Sequence, residues 1–129
     1  MLFRRIDHVE IVPSNMERTL QFYQGILGFE TWLRQSVNVP PLQEIIYLKL
    51  SDTMLELLSV EDPDDPSASK WQVGYRMMAL EVDDMDEAVN YLQNQGIEIT
   101  WGPVDMGKTK RAEIRDPDGL GIELRELSR

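Results

Sequence analysis

The stretch RIDHVEIVPSNMERTLQFYQGILGFE (5–30) decides the fold, because GYRMMALEVDDMDEAVNYLQNQGIEI (74–99) repeats its plan. Both run as an apolar strand, a polar or acidic cap, an amphipathic helix and a glycine that leads into a new strand. An offset of 69 positions lays His8 on Met77, Ile11 on Leu80, Met16 on Met85 and Leu20 on Val89. One copy thus carries the chain's single histidine where the other carries a methionine.

Working outward, residues 4–12 alternate as a strand, and Ser14 with Glu17 suits a capping box at a helix start. Met16, Leu20, Tyr23 and Leu27 share one helical face, and Gly28 ends the helix. Strands follow at 29–35, 43–50 and 53–60, the last two joined by a tight turn at Ser51–Thr53. Residues 61–72, opening with EDPDDPSAS, read as an acidic, solvated linker. The program then restarts: a strand at 75–82, a cap from Asp84 and Glu87, a helical stripe of Met85, Val89 and Leu92, and a break at Gly96. Strands at 97–101, 110–115 and 120–127 finish it, with the turn DPDG (116–119) between the last two. Each half is β-α-β-β-β, which predicts an α+β fold: one domain, 1–129, of two tandem modules, 1–60 and 73–129. Neither half alone can bury both its sheet face and its helix stripe, so the two should share an interior.

The 129 residues are 42% hydrophobic and 28% charged, an ordinary globular balance. A net charge of −10 argues against nucleic acid and anionic membranes as partners. The lack of cysteine removes disulfides, thiolate metal sites and Cys nucleophiles. The start, MLFRRIDHVEIV, is too short in apolar residues for a signal peptide or a span, so a cytoplasmic location is expected.

The segments RIDHVEIVPSNMERTLQFYQGILGFE, TMLELL, MMALEVDDMDEAVNYLQNQGI and AEIRDPDGLGIEL together resemble the vicinal oxygen chelate superfamily, the glyoxalase/bleomycin-resistance proteins, and the last is closest to its glyoxalase-like members. The resemblance implies paired βαβββ modules forming an open, U-shaped mixed sheet around a metal, with ligands from the first and last strands of each module. Carried over, those positions are His8, Glu56, Met77 and Glu123. Three of the four suit a divalent ion such as Zn, Ni, Co, Mn or Fe, whereas a neutral thioether is a poor ligand for such metals. The resemblance also implies a small-molecule substrate and a homodimer.

Strand parity supports the carry-over independently. Glu56 shares a face with Met54 and Leu58, His8 with Glu10, and Glu123 with Arg125, while Val9, Ile11, Leu55, Leu57, Ile122 and Leu124 face the helices. Taken singly, a strand histidine or a lone glutamate is more often structural or solvent-facing; their coincidence at repeat-related positions makes a site. Facing carboxylates repel unless a cation or proton intervenes, so a metal held by His8, Glu56 and Glu123 is expected, with Glu10 as a substitute ligand or base.

Met77 narrows the chemistry. A two-histidine, one-carboxylate iron site cannot be built from one histidine. Glyoxalase- and epimerase-like reactions need only a Lewis acid on a substrate oxygen and a carboxylate that moves a proton, here Glu123 or Glu56. Arg34 and the basic stretch GKTKR (107–111), with Lys108, are expected to meet substrate anions, and Met77 and Arg125 to line the site. Trp32, Trp71 and Trp101 serve equally as a ligand wall or as packing. The alternative reading is a metal-free binding or sequestering protein, which the methionine at 77 and a net charge suited to cationic ligands support.

Overall fold

The first copy of the repeat folds as β1 (His8–Ile11), α1 (Met16–Leu20), a π-helical segment (Gln21–Ile26), β2 (Glu30–Val39), β3 (Leu42–Leu50) and β4 (Thr53–Val60), in a computed structural model that describes residues 1–128. Its four strands form one mixed sheet in the order β1-β4-β3-β2, with β1 parallel to β4 and the others antiparallel. The second copy repeats this with β5 (Met78–Glu81), α2 (Met85–Asn94), β6 (Trp101–Asp105), β7 (Thr109–Arg115) and β8 (Gly121–Leu127), ordered β5-β8-β7-β6. The fold is α+β, built from two βαβββ modules, and the chain forms two compact units, Met1–Asp65 and Pro66–Arg129.

In the first unit the sheet buries Ile46, Leu48, Leu55 and Leu57 against Leu20, Phe22 and Tyr23 from the helical segment, all within 6% of full burial. The π-turn explains why two consecutive aromatic residues enter the core. Leu27 N–H reaches Phe22 O, five residues back, at 3.0 Å, and this local widening turns both Phe22 and Tyr23 inward. Phe22, Tyr23 and Phe29 then pack edge to face with ring centroids 5.0 and 5.7 Å apart. In the second unit Met85 and Leu92 of α2 are buried along with Ala112, Ile114, Ile122 and Leu124. Glu126 of β8 accepts the Met85 N–H at 2.7 Å, so a sheet carboxylate caps the helix start.

Several boundaries differ from the expected ones. The expected strands 4–12 and 75–82 shrink to His8–Ile11 and Met78–Glu81, the stretches that pair in register with β4 and β8. The first helix is capped by Asn15, whose Oδ1 accepts the Arg18 N–H at 2.9 Å, instead of by Ser14. Asp84 caps α2 as expected, accepting from Glu87 N–H at 3.0 Å. The strand expected at 97–101 begins only at Trp101. Gly96 takes φ +80° and the Ile97 N–H closes back on Leu92 O at 2.9 Å, so Ile97 belongs to the helix end. Val9, expected to be covered, is 42% exposed: β1 is an edge strand of its sheet and only Ile11 reaches the core.

Candidate metal centre

Register places the first unit's polar residues in two adjacent rows. Glu10, Glu56 and Tyr47 lie side by side on β1, β4 and β3, and His8 sits opposite Met54 two residues away. Leu55 and Leu57 of the same strand point into the core, at 1% and 0% exposure, so the alternation delivers Glu56 to the polar face. Glu56 is nevertheless only 6% exposed. A carboxylate so buried requires partners.

It has them. Tyr47 stands opposite Glu56 on the neighbouring strand, and the carboxylate's nearness, with burial adding to it, pushes the Tyr47 hydroxyl up to about 12. The His8 imidazole lies beside both acids, its Nε2 3.4 Å from Glu10 Oε2 and 3.8 Å from Glu56 Oε2. On its other side Nδ1 is 2.8 Å from Asp7 Oδ2. Nδ1–H donates to Asp7, so in the neutral ring the lone pair sits on Nε2 and faces the two glutamates.

One ligand atom from each of His8, Glu10 and Glu56 can be chosen so that all lie within 4.8 Å of one another, a convergence that among the described residues this trio alone achieves. Metal–ligand bonds of about 2.0–2.2 Å set neighbouring donors roughly 3–3.5 Å apart, so the 3.4 Å spacing fits a divalent ion with little movement. The donors, two carboxylates and an imidazole, are those that hard and borderline divalent cations prefer. Glu10, expected as a substitute ligand or base, stands in the cluster itself and is the most exposed of the three.

The second unit treats the same positions differently. Met77 precedes β5 and its side chain lies over Gly121, where an added Cβ would come within 2.9 Å of Met77 Cε. Ala79 stands beside Glu123 where Glu10 stands beside Glu56, and Glu113 is opposite Glu123 where Tyr47 is opposite Glu56. Glu123 forms an ion pair with Arg111, and Glu113 one with Arg76 at 3.9 Å. Each arginine also lies over a tryptophan, Arg111 at 5.6 Å from Trp101 and Arg76 at 4.6 Å from Trp71. Guanidinium groups here supply the positive charge that the first unit lacks.

Other expected contacts are rearranged. Arg34 is clamped by Glu44 at 2.8 Å and Glu17 at 3.0 Å, so its guanidinium is occupied. In the basic stretch, Lys110 and Arg111 are strand residues paired with Glu126 and Glu123, while Lys108 is exposed. Arg125 lines a cavity of about 320 Å³ with Ala79, Glu81 and Leu127. Trp32 packs edge-on to Tyr47, with centroids 5.9 Å apart. Tyr47 and Asp7 beside the His8 cluster, and Arg111 beside Glu123, are neighbours that strand parity alone does not single out.

The family profile described as Glyoxalase/Bleomycin resistance protein/Dioxygenase superfamily matches residues 5–124. The chain belongs to this superfamily. Its relatives include lactoylglutathione lyase of Neisseria meningitidis serogroup A, 32% identical over 93% of this chain and 88% of that one. Among solved structures, the glyoxalase family protein from Enterococcus faecalis is 32% identical, covering 98% of this chain and all of that one, with a TM-score of 0.83. The trypanothione-dependent glyoxalase I of Leishmania major is 25% identical, covering 96% and 87%, with a TM-score of 0.77. Within this superfamily, the His8 cluster sits in the module whose histidine the second copy lacks.

The hydrogen bond to Asp7, then those to Glu10 and the charge of Glu56, raise the His8 pKa above its ordinary value near 6.5, with partial burial opposing them. In the metal-free protein the single histidine signal should therefore titrate above that value by NMR. A raised pKa stabilises the fold below the unfolded-state value, and that stability is lost as pH rises through the folded-state midpoint. Metal needs the neutral ring, so uptake should strengthen over the same rise. A midpoint at or below 6.5 would contradict the geometry at Nδ1.

Proposed function

We propose that the protein is a glyoxalase-like, metal-dependent lyase or isomerase acting on a small oxygenated substrate such as a thiol conjugate. The observation that carries this reading is the convergence of His8, Glu10 and Glu56, joined to the relatives named lactoylglutathione lyase. Lactoylglutathione is a thioester, and the class of substrate that yields one by isomerisation is the hemithioacetal of a 2-oxoaldehyde. A bound divalent ion, whether Zn, Ni, Co, Mn or Fe, supplies Lewis acidity towards the substrate oxygen.

The residues of the chain divide the remaining work. His8, through Nε2, and the carboxylates of Glu10 and Glu56 hold the ion. A carboxylate, Glu123 or Glu56, moves the proton from the carbon that bears the sulfur to the adjacent carbon, so the pair of steps is redox-neutral overall. Arg125, beside a cavity of the second unit, and the exposed Lys108 are available to anions. The reading extends to a homodimer in the cytoplasm. Uncovered apolar side chains at Leu2, Phe3, Ile6, Trp71, Val73 and Tyr75 support pairing.

Thioester formation from a 2-oxoaldehyde and a low-molecular-weight thiol tests the reaction. Activity should vanish on chelation and return with one of the five metals. Stabilisation by a cationic aromatic compound, with no response to any divalent ion in a thermal shift, would favour a binding protein instead.

A further inference from the structure

We propose that Tyr47 is a positioning residue for the His8–Glu10–Glu56 site, orienting Glu56 and the His8 ring without neutralising the carboxylate. This deepens the metal-dependent reading and rests on it. Tyr47 stands directly opposite Glu56 in the β3–β4 register, so its phenol and the Glu56 carboxylate share one face of the sheet. Its ring meets the His8 ring edge to face, with centroids 5.6 Å apart and planes at 85°. Trp32 packs against the phenol ring at 5.9 Å, again edge-on. A single half-buried side chain thus stands beside two of the three candidate ligands and is itself braced.

The second unit shows what the phenol avoids. There the residue opposite Glu123 is another carboxylate, Glu113, and two arginines balance the pair. A guanidinium satisfies a carboxylate by cancelling its charge. A neutral hydroxyl fixes the carboxylate's rotation through one oxygen and leaves its negative charge for a cation. The choice of tyrosine over a cationic residue at position 47 is what lets a buried glutamate remain a metal ligand.

Tyr47→Phe deletes only the hydroxyl and keeps the ring packing. Cobalt(II) binding to full-length wild-type and Y47F protein should be compared by calorimetry and by the visible absorption of the bound ion, alongside metal-free melting curves. The expected result is a roughly 10–100-fold loss of affinity, the range for removing a ligand's supporting partner, with an altered cobalt spectrum and a nearly unchanged metal-free melting temperature. Wild-type protein that binds one cobalt ion while Y47F binds it equally well, with the same spectrum, overturns the role of Tyr47 alone. A large drop in the metal-free melting temperature with unchanged cobalt affinity also overturns it, assigning Tyr47 to packing. Wild-type protein that takes up no cobalt overturns the metal reading beneath it.

Discussion

Glu56→Gln is expected to cut divalent-metal affinity by more than about 100-fold while leaving the fold in place. Removing a hydrogen-bond partner of a metal ligand already costs about 10–100-fold, and this substitution removes the charged ligand itself. Glutamine matches glutamate in shape, so the packing of Leu55 and Leu57 on the opposite face is undisturbed. The substitution has a second, independent signature. Glu56 is one of the charges that raise the His8 pKa, so the His8 midpoint should move down towards its ordinary value in the metal-free variant. Titration calorimetry with an NMR titration of the single histidine reads both effects. Unchanged affinity would remove Glu56 from the site.

Leu57→Ala, one residue along the same strand, should do the reverse. Leu57 is fully buried and paired across the sheet with Ile46, which is equally buried. Truncating a core leucine costs about 2–5 kcal/mol through lost transfer free energy and the cavity left behind. Against the roughly 5–15 kcal/mol that holds a typical domain together, that is a large share. Urea unfolding should show a lower midpoint with the slope preserved, and metal affinity close to wild type wherever the variant is folded. The two neighbours separate site from scaffold because strand geometry sends alternate side chains to opposite faces. If L57A lost metal affinity as severely as stability, that separation would be wrong.

The parity of β4 is legible in TMLELL because one charged residue among leucines can face the polar side in only one register. The duplication is legible for a similar reason: caps, stripes and terminal glycines recur together in residues 5–30 and 74–99. The edges of the strands are less legible, since a segment such as 4–7 has strand-like alternation but no backbone partner in its sheet. Tyr47 is visible only once the hairpin is closed on Ser51 and Asp52, which sets Leu50 against Thr53 and so Tyr47 against Glu56. The counterion of Glu123 is harder still. Arg111 lies on the neighbouring strand, diagonal to Glu123, and its register depends on where the DPDG turn closes. The same register explains the histidine–methionine difference: Met77 fills the space over Gly121, while His8 stands beside two carboxylates. The π-turn that brings Phe22 and Tyr23 inward has no sequence signal, because its period breaks the one used to find helices.

The most direct measurement is metal content. Purified protein equilibrated in turn with zinc, nickel, cobalt, manganese and iron, then desalted and analysed, should retain one ion per chain for at least one of the five, and E56Q should retain none. Substoichiometric content for all five metals in the wild-type protein, with no change on substituting Glu56, would contradict a metal centre built on His8, Glu10 and Glu56.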